Sequence, residues 1–101
     1  MSIKDTVNAF IKENESSIRQ YGVARLGLFG STVRGDETAR SDIDVIVEFL
    51  PGQKNYDNYI DLCYFLEDQL GRNIDLLTAE SLSPLIKPFV EEEVEYVQIA
   101  S

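Results

Sequence analysis

Two kinds of hydrophobic spacing divide this chain into elements. Residues 3–18 and 56–70 carry apolar side chains at nearly every third or fourth position, which predicts two long helices. Apolar and polar residues alternate over 42–49, which predicts a half-buried strand. Shorter apolar runs predict two more strands, over 25–29 and 73–78.

Glycine and proline mark the ends of these elements. Gly71 follows the second long helix at a position where glycine commonly ends helices. Residues 31–34 are long enough for one helical turn. Pro84 begins a last helical region that is kinked or restarted at Pro88. The run 94–99 is predicted to be an edge strand.

The order of these elements predicts the fold. A helix connects the second and third strands, and such a crossover favours a parallel pair. The first two strands are joined by a short loop, so we expect them to be antiparallel. At 101 residues the chain has the length of one domain. We therefore predict a single α/β (α+β) domain over 1–101, a small mixed sheet with helices packed on it.

Composition narrows the possible partners. Eighteen acidic and nine basic residues give a net charge of −9, which argues against a direct grip on nucleic-acid backbones. The charge fits a small anionic substrate held through metal ions, or a basic protein partner. Simple solubility explains it equally well.

Missing residue types restrict the chemistry. The chain has no histidine, which removes the commonest general base and most zinc sites. Its one cysteine, Cys63, lies among apolar residues and is interpreted as part of the core. The N-terminal ten residues carry charges and no long apolar run, so we expect no signal peptide or membrane span and a cytoplasmic protein.

Three aspartates are the candidate catalytic residues and metal ligands. Asp42 and Asp44 are two apart on a predicted strand and share a face, roughly 7 Å apart. Alone, such a pair is most simply a solvated strand end. Asp75 stands near the start of the predicted parallel neighbour, which brings it to the same end of the sheet. Three carboxylates there repel one another unless divalent cations neutralise them, and oxygen ligands suit Mg²⁺ or Mn²⁺.

A glycine–serine pair ends the strand predicted beside Asp42. Gly30 lets the backbone approach a phosphate closely, and Ser31 adds a hydroxyl at the start of a helical turn. The pair alone is an ordinary turn, but beside a metal cluster it suits a triphosphate. Arg34 follows closely and either pairs with phosphate oxygens or balances the acidic residues around it.

These pieces resemble a known family. Gly30-Ser31, ten further residues and Asp42-Ile43-Asp44 resemble the Gly-Ser-x10-Asp-x-Asp signature of the DNA polymerase β-like nucleotidyltransferases. Asp75 matches the third carboxylate of that family. The small size is similar to that of the minimal nucleotidyltransferase (MNT) subfamily, whose members are often antitoxins paired with HEPN-domain toxins. Thr32 departs from the pattern, since relatives often carry arginine there.

The resemblance implies a fold, a reaction and roles for residues. It implies the polymerase β-like fold, with two Mg²⁺ or Mn²⁺ ions held by Asp42, Asp44 and Asp75. Asp75 would also help to activate the acceptor hydroxyl. Gly30 and Ser31, with Arg34, would hold the phosphates of ATP or another NTP. The products would be pyrophosphate and a partner protein that carries AMP. The resemblance implies a HEPN-type toxin as this partner, in a hetero-oligomer with the chain.

Two other interpretations remain open. The chain could be a non-catalytic antitoxin that neutralises its partner by binding alone. A polynucleotide polymerase or antibiotic-modifying enzyme would need additional domains or a partner that supplies them. The complete set of three aspartates with Gly30-Ser31 favours an active enzyme, because a vestigial site is expected to lose ligands.

Overall fold

The computed structural model describes residues 3–34 and 42–100. Its helices are α1 (Ile3–Glu13), α2 (Glu15–Arg19), α3 (Ser31–Arg34), α4 (Tyr56–Leu70) and α5 (Lys87–Glu93). Its strands are β1 (Val23–Leu28), β2 (Ile43–Phe49), β3 (Ile74–Thr78) and β4 (Glu95–Gln98), with a 3-10 turn at Ala79–Ser81. None of the helices in these two ranges is long and apolar enough to cross a membrane.

The four strands form one mixed sheet in the order β3-β2-β1-β4. β2 and β3 are parallel and β1 and β2 antiparallel, which confirms both predicted pairings. β4 pairs antiparallel with β1 at one edge, as expected for the run 94–99. The predicted α/β class is therefore confirmed.

One face of the sheet carries the hydrophobic core. α1 and α4 pack on this face through buried residues such as Val7, Ile11, Leu62 and Leu66. The strands supply the other side of the core with Leu26, Leu28, Ile43, Val45, Val47, Ile74 and Leu76. Alternation along each strand therefore places Asp44 and Asp75 on the opposite, second face.

Helix α5 covers part of this second face. Gly27 of β1 lies under it, and a Cβ atom added there would stand 2.5 Å from Val94 Cγ2 and 3.0 Å from Ile46 Cγ2. Ile46 of β2 is 1% exposed, although it lies on the face away from the main core. Helix α5 thus covers Gly27 and Ile46 on the second face, which also carries the aspartates at the entry of β2 and β3.

The first predicted helix is divided in two. Asn14 separates α1 from α2, and its side-chain amide donates to the Phe10 carbonyl at 2.8 Å. Asparagine side chains compete with the backbone for such hydrogen bonds and favour helix ends over helix interiors. The apolar spacing over residues 3–18 therefore continued across a helix boundary.

Side chains of α4 protect the exposed edge of β3. The Tyr59 hydroxyl donates to the Leu76 carbonyl, and Glu67 Oε2 accepts from the Ile74 amide at 3.1 Å. Edge strands need such partners because they otherwise present unpaired backbone groups. Burial is the main cause that raises the pKa of Tyr59, so the hydroxyl stays protonated and able to donate.

Candidate functional site

Two aspartates on neighbouring strands form the centre of the site. The parallel register pairs Asp44 of β2 with Asp75 of β3, one residue after the buried pair Ile43 and Ile74. Adjacent strands lie about 4.8 Å apart, so the two carboxylates leave the second face side by side. Asp44 is half-buried and Asp75 is exposed.

Asp42 stands at the entry to β2. It is exposed and precedes the first strand residue, Ile43, whose amide donates to the Asn73 carbonyl at 3.0 Å. The predicted strand thus begins one residue later than expected. Asp42 flanks the Asp44–Asp75 pair, two residues before Asp44.

Gly30 and Asp44 approach each other closely. Gly30 has a φ of +64°, a conformation that favours glycine, and a Cβ added to it would stand 2.5 Å from Asp44 Oδ2. The Phe29 amide donates to the Asp44 carbonyl at 3.3 Å, which ties the end of β1 to the same residue. Any residue larger than glycine would displace the Asp44 carboxylate.

Thr32 supports Asp44 from the core side. Its side chain is 1% exposed, and its hydroxyl oxygen accepts a hydrogen bond from the Asp44 amide at 3.2 Å. The sequence interpretation treated Thr32 only as a departure from the family pattern and missed this contact. No local feature of the sequence predicts this contact, because it depends on how the segment after β1 packs against β2.

The donor set is suited to a hard divalent cation. All three aspartates offer only oxygen, and the absence of a side chain at Gly30 gives the Asp44 carboxylate room to lie against the turn. Within residues 3–34 and 42–100, no three His, Cys, Asp or Glu side chains are grouped so as to hold an ion by themselves. Mg²⁺ is usually bound by one or two carboxylates together with substrate phosphates and water, so the Asp44–Asp75 pair fits it.

Two of the predicted phosphate ligands are described only in part. Ser31 and Arg34 begin and end α3, and the Val33 amide donates to the Gly30 carbonyl at 3.2 Å. Their side chains lie outside what the structure describes, as do residues 35–41. The helical turn predicted over 31–34 is present.

A polar network occupies the same face further along the sheet. Arg25 pairs with Glu48 at 2.5 Å and stacks over the Tyr96 ring at 3.6 Å. The hydrogen bond to Glu48 is the main cause that raises the pKa of Arg25. These three side chains line a cavity of about 410 Å³ between the sheet and α5.

Cys63 takes no part in this site. It lies half-buried on α4, packed against the core on the opposite face of the sheet. Burial raises the pKa of its thiol above the usual value, which favours the protonated, unreactive form. The interpretation of Cys63 as a packing residue is confirmed.

Comparison with known proteins identifies the family of the chain. The nucleotidyltransferase domain model matches residues 7–97. A Methanocaldococcus jannaschii protein named "putative protein adenylyltransferase" is 42% identical over 82 residues, covering 77% of this chain and 80% of that protein. Protein adenylyltransferase MntA of Thermococcus cleftensis is 33% identical over 96 residues, covering 92% of this chain and 94% of that protein.

Solved structures share the fold. A structure described as a "putative minimal nucleotidyltransferase" superposes with a TM-score of 0.79 at 28% identity, covering 94% of this chain and 95% of the other. A complex of a tri-AMPylated Shewanella oneidensis HEPN toxin with an MNT antitoxin gives a TM-score of 0.53 at 21% identity, covering 84% and 69%. The second similarity shows the fold alone.

The matched domain model and the two relatives cover most of the chain. The chain belongs to the nucleotidyltransferase domain family, and its fold is similar to that of a minimal nucleotidyltransferase.

Proposed function

We propose that this nucleotidyltransferase transfers AMP from ATP to a hydroxyl group of a partner protein, and that it is the antitoxin of a HEPN-type toxin. The observation that carries the proposal is the in-register Asp44–Asp75 pair beside the Gly30 turn. The names of the relatives support protein adenylylation as the reaction. The shared fold with the MNT antitoxin of a HEPN complex supports the choice of partner.

Asp42, Asp44 and Asp75 would hold two Mg²⁺ or Mn²⁺ ions. Bound there, the ions would neutralise the triphosphate and stabilise charge on the attacking and leaving oxygens. Gly30 and Ser31 would bind the β- and γ-phosphates through backbone amides at the start of α3, with Arg34 as a further phosphate ligand. The turn at Gly30 thereby sets the triphosphate beside Asp44.

Asp75 is the proposed base. The acceptor hydroxyl oxygen forms a bond to the α-phosphorus, the bond to the bridging oxygen breaks, and pyrophosphate leaves. Asp75 takes the hydroxyl proton, since it is exposed on the second face and the chain has no histidine. The position of Asp75 at the sheet edge leaves it open to an acceptor that approaches from outside.

A protein acceptor suits the charge of the chain better than a nucleic acid does. The net charge of −9 repels RNA and DNA and speeds encounter with a basic protein. We therefore expect the partner to present a cationic surface. The proposal therefore combines a requirement for divalent cations with a protein as the acceptor.

The test is co-expression with the protein encoded by the adjacent gene, followed by intact mass measurement of that protein. We expect mass added in AMP-sized steps, lost with Asp44→Ala. A partner that remains unmodified but is still inhibited would support the alternative, an antitoxin that acts by binding alone. Modification that persists in Asp44→Ala would contradict the assigned site.

A further inference from the structure

Three large apolar side chains are exposed together at the start of α5. Leu85, Ile86 and Phe89 are 82%, 49% and 69% exposed. The Lys87 amide donates to the Ser83 carbonyl at 2.9 Å, and the Val90 amide donates to the Ile86 carbonyl at 3.1 Å. Leu85 and Ile86 therefore belong to a turn that leads directly into α5, where Phe89 lies in the first helical turn. Spacings of three and four residues place the three side chains on one side of the helix. We name Leu85, Ile86 and Phe89 the apolar patch.

The patch lies on the side of the molecule that carries the aspartates. The inner side of the same helix, with Lys87, Val90 and Val94, lines the cavity over Ile46 on the second face. The chain reaches the patch from the C-terminal end of β3, through the 3-10 turn, and Asp75 stands near the start of the same strand. A protein bound to the outer side of α5 is therefore adjacent to the face from which Asp44 and Asp75 project.

The surroundings of the patch are acidic. Glu91, Glu92 and Glu93 follow Phe89 in the same helix. Lys87, the basic residue of α5, is 3.9 Å from Glu91 and is thus partly neutralised. An apolar surface beside a run of carboxylates complements a partner that presents apolar side chains flanked by Lys or Arg.

Other exposed aromatic side chains lie on the opposite side. Tyr56 and Tyr64 are 75% and 65% exposed on α4, which packs on the core face of the sheet. Helices α4 and α5 lie on opposite faces of the sheet, so we do not expect a protein seated on α5 to contact Tyr56 or Tyr64. They therefore provide a matched pair of control positions.

We propose that the apolar patch is where the protein acceptor docks, and that this acceptor presents an apolar surface rimmed by basic residues. The inference rests on the proposed function, because it assigns a binding surface to the acceptor of that reaction. Docking at the patch holds the acceptor hydroxyl near Asp75 while the triphosphate occupies the space beside Gly30. Buried apolar anchors of this kind often dominate the affinity of an interface.

The test compares two double variants, Leu85→Ser/Phe89→Ser and the control Tyr56→Ser/Tyr64→Ser. The acceptor is the adjacent gene's protein, and its AMP-sized mass gain is followed over a range of acceptor concentrations. We expect the patch variant to raise the KM for this acceptor by about tenfold or more. Its kcat and its calorimetric affinity for Mg-ATP should match wild type, and the control should change neither parameter.

Each other result contradicts the inference in a recognisable way. Equal KM values for the patch variant and wild type would exclude the patch as the docking site while leaving the reaction established. Loss of a dimer in light scattering, with normal acceptor modification, would assign the patch to a second copy of this chain. A wild-type protein that modifies no partner would instead refute the proposed function. Melting temperatures check that both variants fold.

Discussion

At the residue scale, Gly30 is constrained twice. Its positive φ, +64°, favours glycine, and its missing side chain leaves room for Asp44 Oδ2. The first constraint concerns only the backbone, whereas the second links the proposed phosphate-binding turn to a proposed metal ligand. Gly71 has nearly the same φ, +66°, with nothing within 4 Å of an added Cβ, so it carries the first constraint alone.

Gly30→Ala and Gly71→Ala should therefore separate these two effects. Each should lose about 1–2 kcal/mol of unfolding free energy from left-handed backbone strain. Only Gly30→Ala should also weaken Mn²⁺ binding in calorimetry, because its Cβ displaces the Asp44 carboxylate. Equal Mn²⁺ affinities in the two variants would show that the carboxylate position does not depend on Gly30.

Thr32 is a buried residue that contacts the proposed metal ligand Asp44 at its backbone amide and not at its carboxylate. Thr32→Val keeps the volume but leaves the Asp44 amide without its acceptor, which should cost about 1 kcal/mol. It should also raise the Mg²⁺ concentration for half-maximal rate by about tenfold, as loss of supporting contacts around metal sites does. Thr32→Ser restores the acceptor and should recover the Mg²⁺ dependence. Failure of Thr32→Ser to recover it would assign Thr32 to packing alone.

At the scale of elements, the parallel pairing of β2 and β3 creates the site. It sets Asp44 opposite Asp75, and like charges directly across a strand pair are destabilising. The sheet keeps this arrangement because the preceding and following pairs, Ile43 with Ile74 and Val45 with Leu76, are buried. Apolar packing therefore holds the two carboxylates together.

Asp75→Asn should accordingly stabilise the protein in EDTA. Removal of one charge should add about 0.5 kcal/mol, or roughly 2–4 °C in melting temperature. Added Mg²⁺ should raise the melting temperature of wild type more than that of the variant. Asp61→Asn removes the same charge from an exposed position on α4 and serves as the control. A large loss of stability in Asp75→Asn without metal would mean that this carboxylate is structural.

At the scale of the whole molecule, the excess of acidic residues acts on stability and on encounter. A net charge of −9 on 101 residues causes self-repulsion, which salt screens. The same charge attracts a basic partner over a distance of several ångströms. Both effects depend on ionic strength, but they act on different measurable quantities.

Raising NaCl from about 20 mM to about 300 mM should therefore raise the melting temperature of the metal-free protein. Over the same range the association rate with the adjacent gene's protein should fall, because electrostatic steering is screened. Stopped-flow mixing measures that rate, and the dissociation rate should change little. An association rate that does not respond to salt would contradict a basic partner surface.

The sequence by itself determined the types of most elements, and it supplied the candidate residues of the proposed site. The helix 56–70 and the alternating strand beginning near Asp42 follow from local spacing, since helices and strands repeat their faces at different periods. The crossover helix between the second and third strands predicted their parallel pairing correctly. The interval between Gly30-Ser31 and Asp42 is equally local, because it depends only on counting residues.

The tertiary structure alone decided how these residues meet. A register shifted by one residue would turn Asp75 towards the core, and only the buried pairs around it exclude that shift. The contact of Thr32 with Asp44 and the covering of the second face by α5 depend on packing between segments distant in sequence. The hydrophobic spacing also did not predict the division of the first helix at Asn14. There, one side-chain hydrogen bond outweighed the local periodicity.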